Sequence, residues 1–94
     1  MDENTLNEIL NTKLSNWSTR EGKLYLEIKT KDWNESMSIA NMISFLAETF
    51  NHHPDLTIQY TTVTIALFTH SSGDITDKDL LLAQKVNEFL SIKK

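Results

Sequence analysis

The chain has 94 residues, of which 39% are hydrophobic and 23% charged, with a formal net charge of −4. That length suits one domain over residues 1–94 with a core small enough to leave apolar surface for self-association. Without cysteine, disulfide frameworks and thiolate zinc sites are excluded, and scattered basic residues with a pI near 5.2 speak against nucleic-acid or anionic membrane binding.

The opening Met1-Asp2-Glu3-Asn4 is acidic and precedes no long apolar run, unlike a signal peptide, and no stretch reaches the length of a bilayer span. The cytoplasm is therefore the expected compartment. Thr5-Leu6-Asn7-Glu8 has the form of a capping box, and Leu6, Ile9 and Leu10 follow at helical spacing, which predicts a helix over 5–13. Ser15 to Thr19, centred on Trp17, and the alternating Leu24-Tyr25-Leu26-Glu27-Ile28-Lys29 read as a hairpin joined through Glu21-Gly22. At Asp32 the period changes. Asp32 can cap, Glu35 follows three positions on, and Met37, Ile39, Ala40, Ile43, Leu46, Ala47 and Phe50 form a wide apolar stripe reaching Asn51.

Pro54 and Asp55 stop this long helix, and the residue before a proline is driven out of the α region. His52 and His53 thus stand at a helix-to-strand corner. Thr57 to Tyr60 and Val63 to His70 read as two further strands, although their link at Thr61-Thr62 lacks the Gly or Asn that marks a tight hairpin. Ser71 to Ile75 is a loop containing Gly73. Thr76-Asp77-Lys78-Asp79 then opens a last helix whose Leu82, Ala83, Val86, Phe89 and Leu90 face inward. The order is αββαββα. Strands that come in hairpins predict an α+β fold with a four-stranded antiparallel sheet and helices packed on one face.

All three histidines, His52, His53 and His70, lie between Glu48 and Asp79. Imidazole is the side chain whose ordinary pKa lies nearest neutrality, so a group of them can take and give protons without help. A strand end returning toward the corner would bring His70 to His52 or His53. Each ring taken singly is more often a cap or a hydrogen-bonded filler than a chemical group; the grouping shifts the balance toward chemistry. Three imidazoles could also hold zinc, but neighbouring residues on extended backbone point apart, and no H-x-H or H-x-x-x-H spacing is present. Glu48, one turn before His52, could accept a hydrogen bond from an imidazole, its alternative being an exposed helix carboxylate. Asp79 is accounted for as a capping-box carboxylate, and Trp17, Trp33 and Tyr60 as core or half-buried aromatics.

The run Glu48-x3-His52-His53-Pro54-x5-Tyr60-x9-His70-x8-Asp79 resembles the signature of the pterin-4a-carbinolamine dehydratases, small α+β proteins also described as dimerisation cofactors of a transcription factor. Trp17, Lys31-Asp32-Trp33 and Leu82-Ala83 extend the resemblance over nearly the whole chain. It implies dehydration of 4a-hydroxytetrahydropterin to quinonoid dihydropterin, the recycling step after an aromatic amino acid hydroxylase, with His52 and His70 as acid-base pair. It further implies that His53 holds or polarises the pterin and that Glu48 supports the histidines, with Asp79 and Tyr60 as further supporting positions. Substrate contacts would come from His52 to Pro54 and from Thr69, His70, Ser71 and Ser72. No metal or cofactor is implied, since the pterin is the substrate, and the subunits would associate as dimers or tetramers. The alternatives are an oligomeric interaction cofactor of the coactivator type and a dehydratase-like protein acting on a molybdopterin-related pterin. Two departures from the family pattern stand out: Leu56 where many members carry an aromatic residue, and the polar Ser71-Ser72-Gly73-Asp74 loop.

Overall fold

Asp2, not Thr5, starts the first helix. In the computed structural model, which describes the backbone of residues 1–93 and the side chains of residues 1–91, helix α1 spans Glu3–Lys13 and the Asp2 carboxylate accepts from the Asn4 amide. The expected box of Thr5 and Glu8 does not form; Thr5 Oγ1 turns back to Asp2 Oδ2 at 3.3 Å. A carboxylate just outside the first turn meets its unpaired N–H groups and the positive end of the helix dipole, which a hydroxyl inside that turn cannot do. Leu6 and Leu10 face the core, and Leu14 caps the helix from a fully buried position.

Strand β1, Ser18–Arg20, is shorter than expected and begins after Trp17. The indole is buried with its N–H donating to Asn87 Oδ1 at 2.9 Å, so the need to pair a buried donor holds this residue off the sheet. β2 covers Lys23–Lys29. Glu21 and Gly22 both take positive φ, 54° and 77°, giving the two-residue loop whose twist suits a hairpin, closed by the Arg20–Lys23 pair.

Helix α2, Trp33–Phe50, is capped by Asp32, which accepts from the Glu35 amide at 2.8 Å while Glu35 reaches back to the Lys31 amide at 3.0 Å. Its inner face is Ser36, Ile39, Ala40, Ile43, Leu46 and Ala47. The helix stops before the proline acts on it: Asn51 adopts the left-handed conformation (φ 50°), and the His52 amide returns to the Ala47 carbonyl at 3.0 Å. Trp33 and Phe50, at its two ends, are partly exposed.

β3, Asp55–Gln59, and β4, Thr62–Leu67, are joined by Tyr60-Thr61. Ser36 Oγ donates to the Tyr60 carbonyl and Thr62 Oγ1 to Gln59 Oε1, so side chains stabilise a turn that carries neither Gly nor Asn. Tyr60 itself is 68% exposed, where a core or half-buried strand aromatic is expected, because it belongs to this turn and not to a strand. β4 also ends earlier than expected, at Leu67: β2 pairs with it only as far as Leu24–Leu67 and β3 only as far as Asp55–Ala66. Beyond that point Thr69 bridges to Asp74, and His70 lies in the turn between them. Helix α3, Asp77–Lys93, buries Leu80, Leu82, Ala83 and Val86, whereas Phe89, expected inward, is 42% exposed.

The sheet order is β1-β2-β4-β3, antiparallel throughout. Leu24 and Leu26 of β2 and Val63, Ile65 and Leu67 of β4 face one side and join the inner residues of all three helices in one buried cluster. The architecture is the α+β, αββαββα arrangement expected from the sequence, and its central strand β4 delivers residues 68–70 to the corner where α2 gives way to β3.

Candidate active site

The corner is built around Asp79. This residue, fully buried with 0% exposure, stands on the third position of α3 after its capping residue Thr76. Oδ2 accepts the Thr76 amide at 2.8 Å, which is the capping bond expected from the sequence. The same oxygen also accepts the Thr69 hydroxyl at 2.8 Å, and Oδ1 lies 2.5 Å from His52 Nε2. The carboxylate is therefore more than a cap: it ties the end of β4, the start of α3 and the histidine corner to one group. A carboxylate that accepts on both oxygens fixes Nε2 of His52 as a donor, leaving Nδ1 as the basic atom of the neutral ring. Among the described residues no buried side-chain nitrogen or oxygen lacks a partner. Nδ1 has no hydrogen-bond partner among the described residues, and the His52 side chain is 12% exposed.

His53 has a different environment. Its Nε2 lies 2.5 Å from Glu48 Oε2, with the two side chains 58% and 77% exposed. Glu48 thus serves an imidazole as expected, but that of His53, not of its one-turn neighbour His52, because the left-handed turn at Asn51 swings His52 off the Glu48 face of the helix.

His70 is exposed and packs edge-on against Phe68, with ring centroids 5.3 Å apart and planes at 78°. Phe68 and His70 thus meet each other, while Thr69 between them turns its hydroxyl to Asp79. Lys23 Nζ stands 6.0 Å from the Phe68 ring and 3.4 Å from Asp55 Oδ2. The turn bearing His70 is held by Thr69 N–H to Asp74 O at 3.0 Å and Gly73 N–H to Thr69 O at 2.9 Å, with Gly73 at φ 68°.

The structure thus gathers His52, Asp79, Thr69 and Thr76 by direct bonds, pairs His53 with Glu48, and starts His70 one residue from Thr69. Pro54 is half-buried beside the pair, while Ser71 and Ser72 are exposed in the His70 turn, with Ser72 Oγ bonded to the Thr69 carbonyl at 3.3 Å. Two positions differ in kind from what the sequence suggested. Thr69, expected among the substrate contacts, is 6% exposed with its hydroxyl engaged by Asp79 and Thr76. Tyr60 lies in the turn at the opposite end of β3 from His53, outside this group. Phe68, which the alternation of Val63 to His70 puts on the same side as His70, is not among the expected site residues, yet it carries the edge-on contact to that ring. Among the described residues no helix is long and apolar enough to cross a membrane, and no three His, Asp or Glu side chains converge as a metal-ligand set.

Comparison with known proteins gives the family and the fold. The family model described as Pterin 4 alpha carbinolamine dehydratase matches residues 1–89. A chain from Metallosphaera sedula bearing the pterin-4-alpha-carbinolamine dehydratase name is 43% identical over 75 residues, 80% of this chain and 78% of that one. One of the same name from Sulfolobus acidocaldarius is 38% identical over 88 residues, covering 94% and 96%. The crystal structure of a transcriptional coactivator/pterin dehydratase from Brucella melitensis superposes with a TM-score of 0.85 at 29% identity, covering 94% of this chain and 95% of that one. With a family match spanning all but its last residues and the same fold in a solved relative, this chain belongs to the pterin-4a-carbinolamine dehydratase family.

Proposed function

We propose that this protein dehydrates 4a-hydroxytetrahydropterin to quinonoid dihydropterin by histidine acid-base chemistry. The reaction delivers one proton to the C4a hydroxyl, breaks the C–O bond to release water, and removes one proton from the neighbouring ring nitrogen. Positioned imidazoles suit both transfers, each commonly worth about 10²- to 10⁴-fold. The observation that carries the reading is the His52–Asp79 couple: a fully buried carboxylate, locked by the Thr69 hydroxyl and the Thr76 amide, holds an imidazole whose other nitrogen has no hydrogen-bond partner among the described residues. In this reading His52 and His70 form the acid-base pair, His53 polarises the pterin with its proton held by Glu48, and Pro54, Ser71 and Ser72 border the substrate. Family membership supports a pterin substrate. Recycling of tetrahydrobiopterin in the cytoplasm by a homodimer or homotetramer completes the proposal, and self-association draws support from Phe45, which lies exposed on the outer side of α2.

The test follows quinonoid dihydropterin formation from synthetic 4a-hydroxytetrahydropterin by absorbance. The expected result is a rate well above the spontaneous one that falls steeply in His52→Ala and His70→Ala. An unaccelerated reaction sinks the proposal. It would favour the second reading, an interaction cofactor, which rests on the coactivator/dehydratase description of the Brucella melitensis relative.

A further inference from the structure

We infer that Thr69 is a positioning residue for His52, acting through Asp79 as the last link of a one-way chain of hydroxyl donors. The inference rests on the dehydratase reading above for its kinetic consequence, though not for its structural one. Asp79 is bound as an acceptor on both oxygens, so the Thr69 hydroxyl at 2.8 Å must spend its single hydrogen on Oδ2. Thr69 Oγ1 also lies 2.7 Å from Thr76 Oγ1. With its hydrogen committed, Thr69 can only accept there, so the Thr76 hydroxyl donates. Thr76 Oγ1 in turn accepts the Lys78 amide at 3.3 Å. The direction is thus set from end to end: Lys78 N–H to Thr76, Thr76 O–H to Thr69, Thr69 O–H to Asp79, and Asp79 Oδ1 facing the Nε2 proton of His52.

Such a chain polarises cumulatively toward its carboxylate, and burial removes the water that could replace a missing donor. Its effect falls on where the Asp79 carboxylate points, and with it the His52 ring, while the carboxylate itself keeps the ring proton on Nε2. Thr69 is also the residue before His70, so one side chain sets the His52 carboxylate while its own backbone begins the His70 turn, which ties the two imidazoles to a common anchor. The family pattern led us to expect Thr69 among the substrate contacts; its engaged hydroxyl assigns it instead to the support of the machinery.

The experiment compares the full chain with Thr69→Val, which keeps the shape and removes the hydroxyl, and Thr69→Ser, which keeps the hydroxyl. Expected for T69V is a fall in kcat of about 10-fold or more with KM within about twofold, while T69S stays within about threefold of wild type. Nitrogen-15 spectra of His52 supply a readout that activity does not control: one sharp Nε2–H resonance in wild type and T69S, and a shifted, broadened one in T69V as the carboxylate and the ring lose their single orientation. Thr76→Ala, one link further from the carboxylate, gives the same changes at smaller amplitude and keeps the question answerable should T69V not fold. Wild-type kcat together with a His52 Nε2–H resonance in T69V as sharp and unshifted as in wild type overturns the inference. So does T69S behaving like T69V, which would make the methyl group, not the hydroxyl, the feature that matters. Absence of turnover in wild type defeats the dehydratase reading alone, and the nitrogen shifts then decide the positioning role.

Discussion

Replacing Asp79 by Asn is the sharpest test of how the corner works. The amide has the same shape but one oxygen and one NH2 group. If its oxygen stays at the Oδ2 position, it still accepts the Thr69 hydroxyl and the Thr76 amide, and the NH2 group then faces His52 Nε2. If the amide flips, NH2 meets two donors at once, leaving both unsatisfied in a fully buried place. The first orientation wins, and it compels Nε2 to accept, which moves the ring proton to Nδ1, the nitrogen that should be free for the substrate. In stability all three contacts persist but none is charge-assisted any longer, a loss of about 1.5–3 kcal/mol in all. For a chain of this length each kcal/mol shifts Tm by roughly 4–8 °C, so Tm falls by about 10 °C and the protein stays folded at 25 °C. In rate the loss should exceed what stability explains, about 10²-fold or more, because the wrong tautomer cannot take the proton. Stopped-flow absorbance gives the rate and thermal denaturation the Tm. A variant within threefold of the wild-type rate, with Tm lowered as expected, would show that the buried carboxylate is purely structural and that His52 does not transfer protons through Nδ1.

Three further outcomes follow from the same geometry. His70→Ala removes an exposed ring that packs edge-on against Phe68, so stability should change by less than about 0.5 kcal/mol while turnover drops about 10²-fold or more; a parallel loss of both would mean the ring is structural. Glu48→Gln breaks an ion pair exposed on both sides, and urea titration should find it within about 0.5 kcal/mol of wild type, with any kinetic effect confined to pterin affinity through His53. The third concerns Asp74, bonded to the Met1 ammonium at 2.7 Å. That bond, with a further one from the Ile75 amide, holds the Asp74 carboxyl below its ordinary value. A carboxyl lowered in the folded state contributes stability above its unfolded pKa and loses it as pH falls through the folded one. The difference between wild type and Asp74→Asn should therefore be present at neutral pH and vanish in acid; urea titrations across that range that keep a constant difference would contradict the pairing.

Periodicity carried most of the fold. The change from alternation at Leu24–Ile28 to a 3.6-residue stripe at Ile39–Ala47, then back to alternation at Val63–Leu67, marked sheet, helix and sheet, because each inward set must meet the same core. Ends were less legible. Asp2 displaced Thr5, and β4 stopped at Leu67, since caps and strand ends depend on which partner groups lie within reach in space. Asp79 shows the limit most clearly. Its place three residues after Thr76 announced a cap, and the cap is there; yet Asp79 also sits on the stripe of Leu82, Ala83 and Val86, and an acid on a buried stripe needs donors from elsewhere.

From the sequence alone came the order of elements, the antiparallel sheet, the three imidazoles bracketed by Glu48 and Asp79, and the family they resemble. Only the folded chain decided which acid serves which ring. Asp79 took His52, Glu48 took His53, and Thr69 turned from the solvent to the carboxylate. The left-handed turn at Asn51 and the end of sheet pairing at Leu67 bring together donors and acceptors that lie up to 27 residues apart in the chain, and local spacing carries no record of such distances.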